Sequence, residues 1–353
     1  MKVCIVLGTR PELIKFTPII EALQRKSEID LCVINTGQHT DLLDAIPHAA
    51  FKESLWWGTS GVSSRLSQTT AYILRRLDAL LSLHKPNLVL VQGDTTSALT
   101  GALAAANLQI PVGHVEAGLR TYDKASPFPE ENNRRLISVI ATYHFCISET
   151  SLNNLMSEHV GGTKILTGST AIDMIKRVTQ GPYDDSPRKT IVLTLHRREN
   201  IESNYLALYV NAIIRFLELH PDVTCLWVTH PNPEVQKVAN TTSHKNLMVT
   251  AALSHADFIQ HCYRAWAVCS DSGGIQEEIA VIQKPLFILR NTTERPEVLD
   301  EPNVSLVEYP NTLLGFLHDL YINPDKYVST GENTMFGRGD AGERIADFIG
   351  GIP

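Results

Sequence analysis

A short stretch of small and polar residues, Ser270 to Glu278, carries the clearest chemical signal in the sequence. It follows the apolar run Ala265 to Cys269 and contains Gly273 and Gly274 before helical spacing begins. This pattern predicts a strand, a turn and the start of a helix, where unpaired backbone N–H groups and the helix dipole favour phosphate. The two glycines let phosphates approach the backbone where a Cβ would collide. An ordinary strand-to-helix turn would show the same pattern, so the rest of the chain must decide.

Acidic residues form a second group, in the first half of the chain. Asp94 and Glu116 each follow a short apolar run, and Glu130 or Glu131 opens a helix after a proline-marked loop. A single carboxylate at such a place is usually a helix cap. Three carboxylates on consecutive loops at one sheet edge indicate a function.

Basic residues occupy two comparable places. Arg10 and Lys15 lie at or near the start of a helix that follows the first apolar strand. His196, Arg197 and Arg198 follow another apolar strand in the second half. Solvated surface cations, or a charged loop that caps a helix, would give the same pattern. Their position after strands nevertheless favours an anion site.

Apolar runs alternate with helical patterns along the whole chain, which predicts an α/β fold of two Rossmann-like domains. We expect residues 1–168 to form the first domain, with a C-terminal helix at 341–353 packing back on it, and residues 169–340 to form the second. Residues 168–188 are predicted to be a connection. Functional loops at the carboxyl edge of each sheet predict an active site in the cleft between the domains. The residues suit a nucleotide diphosphate with a reactive group at its far end.

Composition limits the class of protein. The 353 residues carry a formal net charge of -7, which argues against a general nucleic-acid or membrane-surface binder. The first apolar run is too short for a signal peptide, and no run approaches the roughly 20 residues that span a bilayer. The six cysteines include no CxxC pair and are expected to be reduced. A cytoplasmic location follows from these features.

Eight motifs stand in order along the chain. Together they resemble the non-hydrolysing UDP-N-acetylglucosamine 2-epimerases over nearly its whole length. The motifs are GTRPE at 8–12, TGQH at 36–39, QGDT at 92–95, HVEAGLR at 114–120, PEENNR at 129–134, HRREN at 196–200, SDSGGIQEE at 270–278 and TTERPE at 292–297.

The resemblance implies a fold of the glycosyltransferase-B type and the reversible conversion of UDP-GlcNAc to UDP-ManNAc, which supplies surface polysaccharide synthesis. In such enzymes the C2 proton and the UDP group leave the sugar to give 2-acetamidoglucal, and UDP is then added back with C2 inverted. The catalytic positions that match are Asp94, Glu116, Glu130 and His196. The substrate-binding positions that match are Arg10, Lys15, Phe258, Ser272, Gly273, Gly274, Glu278 and Arg295.

Within that set, the resemblance implies finer roles. Lys15 and Phe258 match contacts to the nucleotide or substrate, and Glu278 matches a ribose contact. Which carboxylate acts on which face of the sugar stays open. The residues that would neutralise the diphosphate are Arg10, His196, Ser272, Gly273, Gly274 and Arg295.

We expect neither NAD nor a catalytic metal. The stretch at 270–278 is not the GxGxxG dinucleotide fingerprint, and no His, Cys and Asp residues show metal-ligand spacing. The resemblance favours a homodimer. Two departures stand out: residues 41–58 differ from the usual helix after TGQH, which leaves an activator site for a second UDP-GlcNAc open, and residues 336–340 differ from the usual aromatic-Gly-Asp-Gly pattern.

Three other functions compete with this interpretation. A hydrolysing 2-epimerase would release free ManNAc and UDP, but that group generally begins with a Gly-Ser-Arg-Ala-Glu turn in place of Gly8 to Glu12. A glycosyltransferase of the same fold does not call for three carboxylates around C2. A catalytically silent UDP-sugar sensor would not need Asp94, Glu116, Glu130 and His196 together.

Overall fold

The computed structural model describes residues 1–38, 65–179, 189–329 and 333–352. The chain forms two compact units, residues 1–174 with 335–353 and residues 175–334. His39 and the departure at 41–58 lie outside the described residues. No helix in the described part of the chain is both long and apolar enough to cross a membrane.

The first unit contains a six-stranded parallel sheet, counted over its described residues, with the strand order β2-β1-β3-β4-β5-β6. The elements of the first unit, in chain order, are β1 (Lys2–Leu7), α1 (Arg10–Gln24), β2 (Asp30–Asn35), α2 (Leu66–His84), β3 (Leu88–Gln92), α3 (Thr96–Asn107), β4 (Val112–Ala117), α4 (Glu130–Ile140), β5 (Tyr143–Cys146), α5 (Glu149–Ser157), β6 (Thr163–Leu166) and, near the C-terminus, α13 (Ala341–Gly350).

Helix α6 (Thr170–Val178) contains the point at which the two units divide. The division falls inside residues 168–188, which the sequence predicted to be a connection, and part of that connection is helical. Ile172 and Ile175 are buried at helical spacing, and Asp173 accepts hydrogen bonds from the N–H groups of Ala341 and Gly342. The apolar pattern was short, and a buried carboxylate that caps a distant helix leaves no local signal.

The second unit has a six-stranded parallel sheet of its own among the described residues, in the order β12-β11-β10-β7-β8-β9. Two short 3-10 helices, Pro296–Asp300 and Pro324–Tyr327, accompany it. Its other elements are β7 (Lys189–Thr194), α7 (Arg198–Glu202), α8 (Tyr205–Leu219), β8 (Val223–Val228), α9 (Pro233–Thr241), β9 (Leu247–Thr250), α10 (His255–Arg264), β10 (Ala267–Ser270), α11 (Gly273–Ile282), β11 (Leu286–Ile288), β12 (Val304–Leu306) and α12 (Pro310–Ile322).

Hydrophobic burial explains why these segments become strands. The central strands are near-continuous apolar runs, as expected for parallel strands covered by helices on both faces. Residues 3–7 of β1 and 88–91 of β3 are fully buried. Helix α13 packs closely on α1: a Cβ on Gly342 would lie 2.7 Å from the side chain of Pro18. Ile345, Ala346 and Ile349 of α13 join the core of the first unit.

Each sheet has one point where the strand order reverses. In the first unit it lies between β1 and β3, and in the second between β7 and β10. Ligands of open α/β sheets bind beyond the carboxyl ends of the strands at such a point. The fold therefore groups residues 8–12 with 93–95 in one unit, and residues 196–198 with 271–273 in the other.

Candidate functional site

Glu116 occupies a strained position in the first unit. Its backbone φ is 64°, and the pairing of β4 with β5 shifts register between Val115 and Ala117. A left-handed conformation costs a residue other than glycine roughly 1–2 kcal/mol. The ammonium group of Lys15 forms an ion pair with Oε2 of Glu116, and Nε2 of Gln92 donates to the same oxygen at 2.7 Å. Such strain persists where surrounding contacts fix it, and it clusters at functional sites.

Asp94 forms the second charged pair of this edge. Nε of Arg134 donates to Oδ2 of Asp94 at 3.1 Å, and Nη2 binds the same oxygen. Nη1 of Arg134 binds Oε2 of Glu131 at 2.8 Å. The Arg134 side chain is 4% exposed and that of Asp94 is 22% exposed, so the carboxylate lies outermost.

Glu130 and Glu131, which the residues alone left as alternatives, have different environments. Glu131 is fully buried and accepts hydrogen bonds from the backbone N–H groups of Thr121 at 3.0 Å and Tyr122 at 3.2 Å. Glu130, the first residue of α4, is half-buried. Glu131 therefore holds the preceding loop, and Glu130 is the one of the two that retains access to solvent.

Glu12 is a buried carboxylate beneath this edge. It accepts hydrogen bonds from N–H of Gly8 at 2.9 Å, from N–H and Oγ1 of Thr9 at 2.7 and 2.8 Å, and from Oγ1 of Thr95 at 2.7 Å. Burial raises the pKa of Glu12 to about 7, although these hydrogen bonds act in the opposite direction. Glu12 thus ties the loop after β1 to the loop after β3. Arg10, two residues earlier, is partly exposed.

His114 supports the same loop from inside β4. Burial lowers the pKa of His114 to about 3, so the ring is neutral at ordinary pH. Its Nε2 lies 2.8 Å from the carbonyl oxygen of Gly93, and since that oxygen only accepts, Nε2 carries the proton. Gly93 has a φ of 67° and immediately precedes Asp94. The hydrogen bond from His114 therefore fixes the backbone at Gly93, next to Asp94.

In the second unit, α11 begins at Gly273, three residues after the end of β10. Its N-cap, Ser272, makes no side-chain hydrogen bond to the first turn. A Cβ on Gly273 would lie 2.7 Å from Oε1 of Glu294 and 3.0 Å from Nη1 of Arg295, so only glycine fits without movement. A Cβ on Gly274 would meet only Oγ of Ser272, at 3.9 Å. The turn has the features of an anion-binding helix start.

His196 lies beside this turn and is held by Asp271. Nδ1 of His196 is 3.1 Å from Oδ1 of Asp271, and the backbone N–H groups of His196 and Arg197 also donate to the carboxylate. Burial alone would raise the pKa of Asp271, but the charge of His196 and these hydrogen bonds bring it to about 2. Asp271 is therefore a carboxylate at ordinary pH. The His196 ring is also stacked with His230, at 5.5 Å between centroids.

The two arginines after His196 differ in exposure and in their partners. The Arg197 side chain is 20% exposed, with Nε 3.3 Å from the carbonyl oxygen of Asp271. Its Nη2 would lie 3.3 Å from a Cβ on Gly273. The Arg198 side chain is 68% exposed and pairs with Glu202 one helical turn later, at 2.8 Å. Only Arg197 is positioned at the start of α11.

Arg295 was predicted to neutralise the diphosphate, but its side chain is buried. Its guanidinium is buried and pairs with Glu277 and, at 2.7 Å, with Glu294. Glu294 is in turn 2.8 Å from Nη1 of Arg290. This buried network lines the side of Gly273, so Arg295 shapes the turn, and its charge is balanced by carboxylates.

Glu278 and Phe258 lie on the neighbouring helices α11 and α10. Oε1 of Glu278 is 2.7 Å from Nε2 of His255, the first residue of α10. Phe258, three residues further along that helix, is half-buried. His255 therefore connects the two helices through the carboxylate that is predicted to contact the ribose.

The predicted residues fall into two groups, one in each unit. In the first unit the structure brings Lys15 to Glu116, and in the second it brings His196 and Arg295 to the turn at 272–274. Within the described residues, no three His, Cys, Asp or Glu side chains are grouped so that they could hold a metal ion.

Sequence reasoning missed several residues that support the ligand edges of the two sheets. Glu12 was detectable, because Thr9 and Glu12 have the spacing of a capping box. The partners of the others come from distant segments, so no local pattern announces them. The supporting residues that sequence reasoning missed are Glu12, Gln92, His114, Arg134, Asp271, Glu277 and Glu294.

Comparison with known proteins defines the class. The chain belongs to the UDP-N-acetylglucosamine 2-epimerase family, whose model matches residues 21–350. A UDP-N-acetylglucosamine 2-epimerase of Bacillus subtilis is 36% identical over 361 residues, covering 99% of this chain and 95% of the relative.

Solved structures give the same result. The UDP-GlcNAc 2-epimerase of Neisseria meningitidis bound to UDP-GlcNAc matches with a TM-score of 0.90 and 34% identity over 99% of each chain. The Methanocaldococcus jannaschii UDP-GlcNAc 2-epimerase in complex with UDP-GlcNAc and UDP matches with a TM-score of 0.85 and 31% identity, again over 99% of each chain. The predicted α/β class with two Rossmann-like domains of the glycosyltransferase-B type is confirmed, as is the predicted family.

Proposed function

We propose that this protein converts UDP-GlcNAc to UDP-ManNAc reversibly, without hydrolysis, by eliminating UDP and adding it back. The observation that carries the proposal is the pairing of two partly exposed carboxylates, Asp94 and Glu116, with cations at one sheet edge. The family and the ligands of its solved members supply the substrate class.

The first step must overcome the weak acidity of the C2 proton, which has no neighbouring carbonyl. Its removal is therefore coupled to departure of UDP from C1. A base takes the C2 proton, the C2–H electrons form the C1=C2 double bond, and the C1–O bond breaks with its electrons on UDP. The products are 2-acetamidoglucal and UDP. Neutralising the charge that grows on the diphosphate is then the larger electrostatic task.

We assign that task chiefly to the second unit. The N–H groups of Gly273 and Gly274 lie at the start of α11, and His196 lies close by. The N–H of the N-cap Ser272 donates to Oγ of Ser270 at 3.0 Å, so in the proposal Ser272 contributes through its side chain. Arg10 of the first unit is the further cation in the proposal. Arg295 supports the turn through Glu277 and Glu294. Glu278 takes the ribose and Phe258 the nucleotide or substrate.

The proton transfers fall to the carboxylates of the first unit. Re-addition of UDP with C2 inverted needs a proton delivered to the opposite face of the glucal, so two groups must act from different sides. Asp94, Glu116 and Glu130 are the proposed acid and base groups. Lys15 and Arg134 keep Glu116 and Asp94 in fixed orientations through ion pairs.

A proton NMR time course with UDP-GlcNAc in D2O tests the proposal. Deuterium should enter C2 of a growing UDP-ManNAc pool, with no free ManNAc. Free ManNAc accumulating with UDP would assign the protein to the hydrolysing reaction instead. If UDP-GlcNAc binds but no deuterium is exchanged, the result would favour a catalytically silent UDP-sugar sensor. A sample of the Glu116→Gln variant measures the background exchange.

A further inference from the structure

The buried carboxylate of Glu12 contacts a different loop with each of its oxygens. Oε2 accepts hydrogen bonds from the N–H of Gly8 at 2.9 Å and from the N–H and Oγ1 of Thr9 at 2.7 and 2.8 Å. Oε1 accepts a hydrogen bond from Oγ1 of Thr95 at 2.7 Å. One oxygen therefore holds the loop after β1, and the other holds the loop after β3.

The hydroxyl of Thr95 has a second partner, at the start of α3. Thr95 is the N-cap of that helix, and its Oγ1 accepts a hydrogen bond from the N–H of Ala98 at 3.0 Å. A hydroxyl has one hydrogen and two lone pairs, so Oγ1 can accept from Ala98 and donate to Glu12 at the same time. This hydroxyl therefore joins the start of α3 to the start of α1.

Strand pairing places the two loops side by side. Ile5 of β1 pairs with Leu90 of β3, and both strands end two residues further on. Arg10 directly follows the first loop, and Asp94 belongs to the second. The proposed diphosphate cation and one proposed proton-transfer carboxylate are therefore carried by loops that share Glu12.

A helix cap alone does not account for this arrangement. Thr9 and Glu12 form a capping box at the start of α1, which explains the contacts between these two residues. The hydrogen bond from Thr95, 83 residues away, is not part of a capping box. Glu12 is 2% exposed, and burying a carboxylate is costly. The contact between the two loops is what this burial adds.

We propose that Glu12 is a positioning residue that holds the Asp94 loop with one oxygen and the Arg10 loop with the other, and so sets their relative placement for the reaction. The inference rests on the proposed function. Arg134 orients the carboxylate of Asp94, whereas Glu12 fixes the backbone that carries it. Glu12 acts through these loops and not by contact with the substrate.

Two variants distinguish the two oxygens. Thr95→Val removes the hydrogen bond to Oε1 and leaves the contacts of Oε2 in place. Turnover of UDP-GlcNAc should fall at least about tenfold, since a misplacement of the order of 1 Å can cost about 100-fold. UDP affinity should not change, because the loop that leads to Arg10 is still held. Glu12→Ala releases both loops, so turnover should fall and UDP should bind about three- to tenfold more weakly, up to the loss of one charge-assisted hydrogen bond.

Two conservative variants should preserve activity. Thr95→Ser keeps the hydroxyl. Glu12→Gln keeps both links, because its amide oxygen takes the Oε2 position, where two backbone N–H groups can only donate. The amide NH2 then donates to Oγ1 of Thr95. Both variants should turn over UDP-GlcNAc at close to the wild-type rate.

The loss of the α3 cap in Thr95→Val needs its own control. Ser148→Ala removes the hydroxyl cap of α5, where Ser148 accepts a hydrogen bond from the N–H of Ser151. This control should lower the urea midpoint and leave turnover unchanged. When Thr95→Val is added to Glu12→Ala, turnover should match that of Glu12→Ala alone, because Thr95 acts through Glu12.

Proton NMR in D2O measures turnover, and calorimetry measures UDP affinity. Wild-type turnover in Thr95→Val would overturn the inference, as would an equal loss in Thr95→Ser or a matching loss of UDP affinity in Thr95→Val. An equal cost of Thr95→Val with and without the Glu12 carboxylate would also overturn it. If Glu12→Ala does not fold, the comparison of Thr95→Val with Thr95→Ser decides alone. Wild-type deuterium exchange at C2 without these effects refutes only the role of Glu12, whereas no exchange in the wild type refutes the proposed function itself.

Discussion

The ligand edges of the two units have opposite charge arrangements. In the first unit the carboxylate of Asp94 lies outermost, 22% exposed, with Arg134 behind it at 4%. In the second unit His196 lies outermost, and the carboxylate of Asp271 is buried behind it. Both edges use a charged pair to fix a side chain. They differ in which sign of charge remains accessible.

This difference matches a division of labour in the proposed reaction. Groups that move protons must present oxygen to the sugar, whereas groups that stabilise a departing diphosphate must present N–H and positive charge. The buried partner sets the orientation of the exposed one in each case. Substitutions of exposed members should change chemistry, and substitutions of buried members should also change stability.

The largest effect is expected at Glu116. Glu116→Gln should lower turnover by about 100-fold or more, with little change in UDP affinity, because an acid–base group is lost while the phosphate turn is intact. Turnover by NMR and UDP binding by calorimetry measure the two quantities. Glu158→Gln, which breaks the ion pair with Arg120, is the matched control at a carboxylate outside the site. Wild-type turnover in Glu116→Gln would remove this residue from the mechanism.

Replacing Arg134 tests the buried member of the pair in the first unit. Arg134→Leu leaves Glu131 buried without its cation, so the free energy of unfolding should fall by about 3 kcal/mol. Urea denaturation of wild type and variant measures the change. An unchanged urea midpoint would show that the Asp94, Arg134 and Glu131 chain contributes nothing to stability.

Glu12 predicts a pH dependence of stability. Its pKa is raised to about 7 in the folded protein from about 4.5, so protonation stabilises the fold. That stabilisation is complete below pH 4.5 and is lost as pH rises through 7, at a cost of about 3 kcal/mol. Between pH 5 and 8 the wild type should therefore lose more unfolding free energy than Glu12→Gln. If the unfolding free energies of the two proteins changed in parallel with pH, the raised pKa of Glu12 would be contradicted.

The smallest effect distinguishes two arginines. Arg10→Ala should weaken UDP binding by about tenfold and lower the rate, the scale of one charge-assisted hydrogen bond. Arg198→Ala should change neither by more than a factor of about two, since its exposed pair with Glu202 contributes little. Calorimetry with UDP compares them. Unchanged UDP affinity in Arg10→Ala would exclude a phosphate role.

The sequence predicted the two sheets correctly and indicated candidate ligand groups at their edges, for a physical reason. Buried parallel strands are continuous apolar runs, and ligand groups follow them directly, so both are local signals. Residues such as Arg134 and Asp271 act through partners 40 and 75 residues away in the chain. Their roles depend on which strands become neighbours. The separate environments of Arg197 and Arg198 could not be predicted either, because adjacent residues of one loop look alike in sequence.

The left-handed backbone at Glu116 has a consequence for protein engineering and evolution. Glycine adopts that conformation without penalty, so Glu116→Gly would relieve roughly 1–2 kcal/mol of strain while deleting the carboxylate. Selection for thermal tolerance alone would therefore favour loss of the proposed acid–base group at this position. In the proposed mechanism a glutamate here lowers the stability of the fold in exchange for catalysis, so a screen for stabilised variants should test the activity of substitutions at residue 116 first.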